Sequence, residues 1–196
     1  MICSALIVFA AFSFGIDGPP QIDRKKIAQV KSVFLLNFLK FTEWPKGPLK
    51  NEESPYVVGI LGKDDLGPVL ESIMKKGTVR NHPIRLVRSD LPDLRTVKRK
   101  NDENAAELDR LREFVTKCHV VYIPKSSTKL VNSFFMDNEF MNTLIVGDDK
   151  SLLEGGGQLA FALEEDHIVF FASLENLKQR DFKVSSRLLQ LARADQ

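Results

Sequence analysis

Histidine and cysteine are the residue types that most often bind metals or act as nucleophiles. This chain has three histidines and two cysteines. His82, His119 and His167 each lack a second histidine three or four residues away, so zinc-type spacing is missing. Cys118 and His119 are neighbours in a predicted strand, whose successive side chains point to opposite faces, so they cannot pair there. No G-x-S-x-G sequence marks a serine hydrolase. These patterns predict no catalytic residue and no metal ligand.

Clustered carboxylates could act in acid–base catalysis, and clustered glycines could bind a dinucleotide. Acidic clusters occur at 64–65, 148–149 and 164–166, each at a predicted turn or helix cap, where solvated carboxylates are common. The glycines of residues 59–67 lie between a strand and a helix, but G-x-x-G-x-x-x-x-G is not the dinucleotide motif G-x-G-x-x-G. We interpret both groups as structural, and the sequence predicts no cofactor.

The composition is that of a globular domain. The 196 residues are 43% apolar and 28% charged, and 28 basic against 26 acidic residues give a net charge of +2. This balance argues against a nucleic-acid-coating protein, which needs a concentrated basic surface.

The start of the chain suggests export. Residues 1–16 carry no charge, and the apolar run 5–14 is shorter than the roughly 20 residues that span a bilayer. Ala11 and Ser13 form a small-x-small cleavage pattern, which places the mature start near Phe14.

We therefore expect a signal peptide at 1–15, a single domain at 16–196, a periplasmic location and no stable membrane span. Export removes Cys3 and leaves Cys118 as the only thiol, which we expect to be a buried small hydrophobe in a strand.

Apolar periodicity and breakers predict the element order. The first helix, 24–41, has one apolar face (Ile27, Val30, Phe34, Phe38, Phe41) and ends before Trp44-Pro45. Residues 90–104 are polar and predict a surface loop. The predicted strands are 56–62, 82–89, 118–124 and 143–148, followed by a hairpin at 158–173 that turns at Glu164–His167. The other predicted helices run from Asp64 or Asp65 to Lys75, from 105 to 116, and from Ser126 or Ser127 to Met136. The last helix begins at Ser185 or Ser186 and is expected to bury Val184, Leu188 and Leu191.

Alternating strands and helices favour an α/β fold. We predict a mostly parallel sheet of about five or six strands flanked by helices, with a C-terminal antiparallel hairpin.

Six segments, in this order, resemble the YfiR/HmsC family of periplasmic regulatory proteins. They are KSVFLLNFLKFTEWP (31–45), VVGILG (57–62), CHVVYIP (118–124), TLIVGD (143–148), GGGQLAFALEEDHIVFF (155–171) and VSSRLLQLA (184–192). The resemblance covers residues 24–193. It implies an exported α/β domain without enzymatic activity.

The resemblance also implies a partner. A YfiR-like protein binds the periplasmic sensor domain of an inner-membrane diguanylate cyclase and holds it inactive; release raises cyclic-di-GMP and promotes biofilm formation. Some members carry paired cysteines, whereas Cys118 has no partner in the mature chain, which argues against an intramolecular disulfide here.

The matched positions have expected structural roles, with docking of the partner as a possible second one. Asn37, Glu43 and Trp44 would tie the first helix to the sheet edge, while aromatic rings pack the hairpin and a serine caps the last helix. The full set is Asn37, Phe41, Glu43, Trp44, Phe161, Phe170, Ser185, Ser186 and Leu188.

Two alternatives stay open. A small-ligand sensor or carrier would use the cleft outside the carboxyl ends of the strands, lined by the loops after Gly62, Pro124 and Asp148. The apolar first helix could also support a homodimer.

Overall fold

The computed structural model describes residues 23–45, 49, 51, 53–90, 102–131, 134–136 and 140–193. The expected signal peptide and most of the predicted 90–104 loop lie outside these residues.

Six helices and nine strands occur in the described residues. The helices are α1 (Arg24–Phe41), α2 (Gly67–Lys76), α3 (Asp102–Thr116), α4 (Lys125–Val131), α5 (Leu174–Gln179) and α6 (Ser186–Leu189). The strands are β1 (Thr42–Glu43), β2 (Tyr56–Leu61), β3 (Thr78–Val79), β4 (His82–Ser89), β5 (Val120–Ile123), β6 (Leu144–Gly147), β7 (Leu159–Glu164), β8 (His167–Ala172) and β9 (Lys183–Val184).

The main sheet has the order β3-β4-β2-β5-β6-β7-β8. Its central five strands, from β4 to β7, are parallel, and β3 and β8 close the two edges antiparallel. The predicted α/β class and the C-terminal hairpin are confirmed. A two-stranded sheet of β1 and β9, which the sequence did not reveal, joins the end of α1 to the C-terminal region.

Helix α1 begins and ends where the apolar periodicity predicts. Asp23 caps its start by accepting from the amides of Lys25 and Lys26. The predicted apolar face is rotated, however: the fully buried side chains centre on Leu35 and Leu39, whereas most of the predicted stripe is only half-buried. Of the predicted stripe only Phe38 is completely buried.

Four phenylalanine rings join α1 to the hairpin. Phe34 and Phe38 from the helix contact Phe161 of β7 and Phe170 of β8, with ring centroids 5.1–6.0 Å apart. Phe38, Phe161 and Phe170 are completely buried. Such pairs stabilise beyond their buried area, so the rings that were expected to pack the hairpin onto the core do so by contact with α1.

Strand residues alternate between two cores. On the α1 side, Tyr56, Val58 and Ile60 of β2 join Val120 and Tyr122 of β5. On the other side, residues of the same strands pack with α3 and α4. Because the sheet is covered on both faces, its strands read as continuous apolar runs.

Several local predictions were wrong. Helix α4 begins at Lys125, so Ser126 and Ser127 lie inside its first turn and do not precede it. Cys118 is buried as expected but lies just before β5. Leu191 is 63% exposed because the last helix already ends at Leu189.

Gly59 in β2 has no room for a side chain. A Cβ there would lie 2.6 Å from Cys118 Sγ and 3.0 Å from Phe114 Cζ. We expect Gly59→Ala to lower the free energy of unfolding by about 1–3 kcal/mol, the usual cost of overpacking, measured by urea denaturation. Adding Cys118→Ala should recover part of the loss because it removes the nearest atom. Strictly additive effects would contradict this contact.

Candidate functional site

The described segments after three of the parallel strands, β2, β5 and β6, meet at the carboxyl edge of the sheet. The order of the strands reverses between β2 and β5, and ligands of open α/β sheets bind in the crevice at such a switch point. Asp64 and Asp65 follow β2, Lys125 follows β5, and Asp148 follows β6. Charged residues from separate segments are therefore gathered at one edge.

Helix α1 reaches this edge through an ion pair. Lys31 Nζ lies 2.7 Å from Asp148 Oδ1 and 2.8 Å from Oδ2, and the two side chains are only 7% and 13% exposed. The partners are 117 residues apart in sequence. The pair fixes the first half of α1 to the end of β6.

Burial dominates the electrostatics of Asp148. It raises the pKa of this carboxyl above its ordinary value, although the hydrogen bond and charge of Lys31 act in the opposite direction. The attraction between the two charges of a buried ion pair thus offsets only part of the hydration free energy that they lose on burial.

Tyr122 in β5 is completely buried, and its hydroxyl faces the same edge. Burial, and then the charges of Asp148 and Asp65, raise its pKa well above the ordinary value. The nearby Asp148 carboxylate acts on the hydroxyl as a hydrogen-bond acceptor that contributes to the raised pKa, although the contact lies outside strict hydrogen-bond distance and angle.

An open cleft of about 1540 Å³ lies over this edge. Residues from the three loops named in the sequence analysis line it, so their predicted placement is confirmed. The first turns of α1 and the apolar side of the hairpin complete the wall. The lining includes Arg24, Lys31, Asp65, Lys125, Asp148 and Phe161.

Most other carboxylates at this edge already have structural partners. Asp64 accepts from the amides of Leu66 and Gly67 at the start of α2 and binds Arg88. Asp149 accepts from the Ser151 hydroxyl and amide, and these hydrogen bonds, the hydroxyl first, lower its pKa. Asp149 is a cap, as interpreted, and Asp64 forms the turn before α2, whose N-cap is Leu66. The interpretation was wrong for Asp148, which is buried against Lys31.

The acidic run at 164–166 also has a structural place. Glu164 binds Arg193 on the surface, and Glu165 and Asp166 form the hairpin turn with positive φ angles of 43° and 66°. None of the three lies in the cleft lining.

Two histidines and Cys118, whose side chains could be reactive, make structural contacts. His119 Nδ1 accepts from the Val57 amide, and His167 is exposed beside the hairpin turn. Burial raises the pKa of Cys118 to about 12, so its thiol stays protonated. Within the described residues, no three His, Cys, Asp or Glu side chains gather closely enough to hold a metal ion.

The matched motif residues of the first helix meet the C-terminal region at its end. Trp44 is buried and contacts the Phe182 ring edge-to-face at 6.1 Å; its indole N–H has no acceptor in the described residues. Glu43 is exposed in β1, while Asn37 and Phe41 are half-buried on α1.

The remaining motif residues divide between the hairpin and α6. Phe161 and Phe170 lie in the aromatic cluster with α1. Ser185 caps α6 by accepting from the Leu188 amide, Leu188 is buried, and Ser186 is the first helical residue. The Ser185 amide donates to the carbonyl of Phe41, which links α6 to the end of α1.

Sequence reasoning missed Lys31 and Tyr122. Lys31 stands four residues before Leu35 and seven before Phe38, on the buried face of α1, and a lysine at such spacing signals a buried partner. Tyr122 carried no signal of its own, because a tyrosine in an apolar strand is usually a core residue.

The comparison with protein families gives a match over most of the chain. The model of the family described as YfiR/HmsC-like matches residues 28–193. No curated protein matches the sequence. Among the described helices, none has both the length and the apolar character that crossing a bilayer requires.

The raised pKa of Asp148 predicts a pH dependence of stability. The folded state holds this proton more tightly than the unfolded state, so its stabilising contribution is complete below the unfolded pKa of about 3.9 and is lost as the pH rises through the folded pKa. We expect wild type to lose free energy of unfolding relative to Asp148→Asn between pH 4 and 7, measured by urea denaturation.

The matched control is Asp149→Asn. Because the pKa of Asp149 is lowered, wild type should instead lose stability relative to this variant as the pH falls, with the change confined to pH below about 4. A difference between wild type and Asp148→Asn that stays constant or increases from pH 4 to 7 would refute the assignment.

Proposed function

Because the chain belongs to the YfiR/HmsC-like family, we propose that it holds a membrane diguanylate cyclase inactive by binding the cyclase's periplasmic sensor domain. At the level of the family, membership supports a periplasmic regulator of cyclic-di-GMP signalling. The match from residue 28 to 193 carries the proposal, since it includes nearly all of the described fold.

We also propose that the protein is not an enzyme and that residues 1–15 direct its export, leaving one domain at 16–196. The family is regulatory and non-catalytic. The arrangement of the carboxylates agrees with such a role, because Asp64 and Asp149 cap local structure and Asp148 is bound to Lys31.

The motif residues that reach solvent are our candidates for contact with the partner. Glu43 and Ser186 are exposed, and Asn37, Phe41 and Ser185 are half-buried. They lie where α1, β1, β9 and α6 meet. Four motif residues are buried and would stabilise the backbone that carries this surface: Trp44, Phe161, Phe170 and Leu188.

A second candidate function is a small-ligand sensor or carrier. The open cleft at the carboxyl edge supports it, because polar and apolar groups converge there. A partner that docks through an apolar surface would need neighbouring exposed apolar side chains. The large exposed apolar side chains of the described residues lie instead on different elements: Val33, Leu163, Leu174 and Leu191. Homodimer formation remains a proposal without a defined surface.

Cellular cyclic-di-GMP tests the regulatory role. We expect deletion of the gene to raise cyclic-di-GMP, because the cyclase loses its repressor, and the full gene to restore the original level. A form that starts at Phe14 behind an initiating Met cannot be exported and should fail to restore it. Unchanged cyclic-di-GMP on deletion would contradict the proposal, as would restoration by the unexported form.

Two further complementing variants test the surface. Glu43→Lys should fail to restore repression although the protein accumulates normally. Glu154→Lys is the matched control, since Glu154 is also exposed but belongs to the turn between β6 and β7. Equal repression by the two variants would exclude Glu43 from the contact.

A further inference from the structure

We propose that the open edge of β4, residues 84–89, binds an extended acidic segment of a partner protein, which adds to the sheet as a further strand. This interface goes beyond the regulatory function and does not depend on it. The pairing of β4, the direction of its backbone groups and the charges beside it support the interface in turn.

The β4 edge is the side of β4 that faces away from β2. Strand β3 pairs with β4 only at His82 and Pro83. From Ile84 to Ser89, β4 pairs with β2 on its inner side, and no strand of the described residues pairs with its outer side. The edge is therefore open over about the length of an average strand.

The opposite edge of the sheet is partly covered by the C-terminal part of the same chain. Arg193 forms a parallel bridge with Phe171 of β8, and its amide donates to the carbonyl of Phe170. An uncovered edge presents backbone donors and acceptors to which another strand can bind. The β4 edge is thus the better template for an added strand.

The direction of the backbone groups of β4 follows from its contact with β2. The carbonyl of Ser89 accepts from the Gly62 amide, so Ser89 faces β2. Successive residues of a strand direct their N–H and C=O groups to opposite sides. The residues that face outward are therefore Ile84, Leu86 and Arg88. Their backbone groups have no strand partner in the described residues and suit β-augmentation, in which such groups supply the affinity.

The uncommitted charges beside the β4 edge are mostly positive. Lys75 and Lys76 lie in the last turn of α2, Arg80 lies in the turn between β3 and β4, and Arg85 lies on β4 itself. All four are exposed, and none forms an ion pair within the part of the chain that the structure describes. Asp90, directly after the strand, is an exposed carboxylate. An acidic segment is the partner that this balance favours.

Other carboxylates around β4 are already paired. Arg88 binds Asp64 and Glu71, with nitrogen–oxygen distances of 3.2 and 2.9 Å. On α3, Asp109 and Glu113 form ion pairs within the helix. These carboxylates therefore repel an acidic segment less than free ones would.

Cations border both faces of the β4 edge. Lys75 lies on the α2 side, one helical turn after Glu71, which contacts β4 through Arg88. Arg85 lies on the other face of the sheet, where its charge acts on the Cys118 thiol. An added strand also directs its side chains alternately to the two faces. Acidic residues at every second position would therefore meet a cation on either face.

A second copy of this chain fits the edge less well. Two β4 edges paired antiparallel would bring Arg85 and Arg88 of both copies to one seam. Like charges on neighbouring strands are destabilising, and charged side chains on an edge strand discourage pairing between identical edges. We therefore assign the edge to an acidic partner.

Two fluorescein-labelled peptides of equal pattern and opposite charge, SVEVEVS and SVKVKVS, test the proposal. We expect the glutamate peptide to bind the purified protein at least tenfold more tightly in fluorescence anisotropy, with a preference that declines as salt is added. A glutamate peptide N-methylated at its five central residues should not bind, because it has no N–H to donate to β4. Equal affinities of the two charged peptides, or binding of the N-methylated peptide, would overturn the proposal.

Amide hydrogen exchange locates the bound peptide. In the free protein, the amides of Ile84, Leu86 and Arg88 should exchange faster than those of Arg85 and Val87, which face β2. The glutamate peptide should slow the exchange of the three outward amides. Protection confined to another part of the chain would overturn the assignment to the β4 edge.

Leu86→Pro removes an outward N–H from the middle of the edge and no hydrogen bond to β2. Edge strands accept proline where the N–H faces solvent. We expect this variant to lose the glutamate peptide. Leu86→Ala is the matched control, because it also loses side-chain contacts but keeps the donor, and it should bind like wild type. Equal affinities of the two variants would refute the backbone contact.

Arg85→Glu tests the charge and does not depend on the folding of the proline variant. It should weaken the glutamate peptide at least tenfold and strengthen the lysine peptide. Lys178→Glu, at an exposed position of α5, should change neither affinity. Equal effects of the two charge reversals would overturn the electrostatic part of the proposal.

Sedimentation of the free protein tests a second copy as the occupant. We expect no self-association that depends on the edge. Self-association that Leu86→Pro abolishes and Leu86→Ala retains would assign the edge to a second copy and overturn the proposal. All of these measurements use the isolated protein, so their failure leaves the regulatory proposal standing.

Discussion

The docking of α1 on the sheet is the contact on which the rest of the fold depends. Leu35, Phe38 and Leu39 are completely buried beneath it. Removing a buried phenylalanine side chain typically costs about 3–5 kcal/mol, a large part of the 5–15 kcal/mol by which a domain is stable. Through its aromatic side chains the same helix holds the hairpin, and through Phe41 it holds the C-terminal region.

The position of α1 also creates the two candidate surfaces. Its carboxyl end meets β9 and α6, where Glu43 and the capping Ser185 lie. Its amino end reaches the carboxyl edge of the strands, where Lys31 binds Asp148. A ligand in the cleft and a partner at the other end would therefore contact opposite ends of the same helix. Any influence of one on the other would have to pass along α1 or the sheet beneath it.

Much of the fold could be predicted because its signals are local. The bounds of α1 follow from periodicity and from the stop at Trp44-Pro45, and the hairpin follows from two apolar runs around a polar turn. The β1–β9 pairing could not be predicted, because two-residue strands have no periodicity and depend on a contact between distant segments. Carboxyl-edge loops were correctly expected to line a cleft, since topology alone places them there. Lys31 and Tyr122 were not expected at this edge, because the surroundings of both side chains are set by tertiary packing.

The central claim, that docking of α1 stabilises the whole domain, can be measured by native-state amide hydrogen exchange. If the claim is right, the amides of Leu35–Leu39 exchange only by global unfolding, with the same free energy as those of Val120–Ile123 in β5. Exchange of the α1 amides at a clearly lower free energy, while β5 stays protected, would show that the helix detaches by itself and would contradict the account.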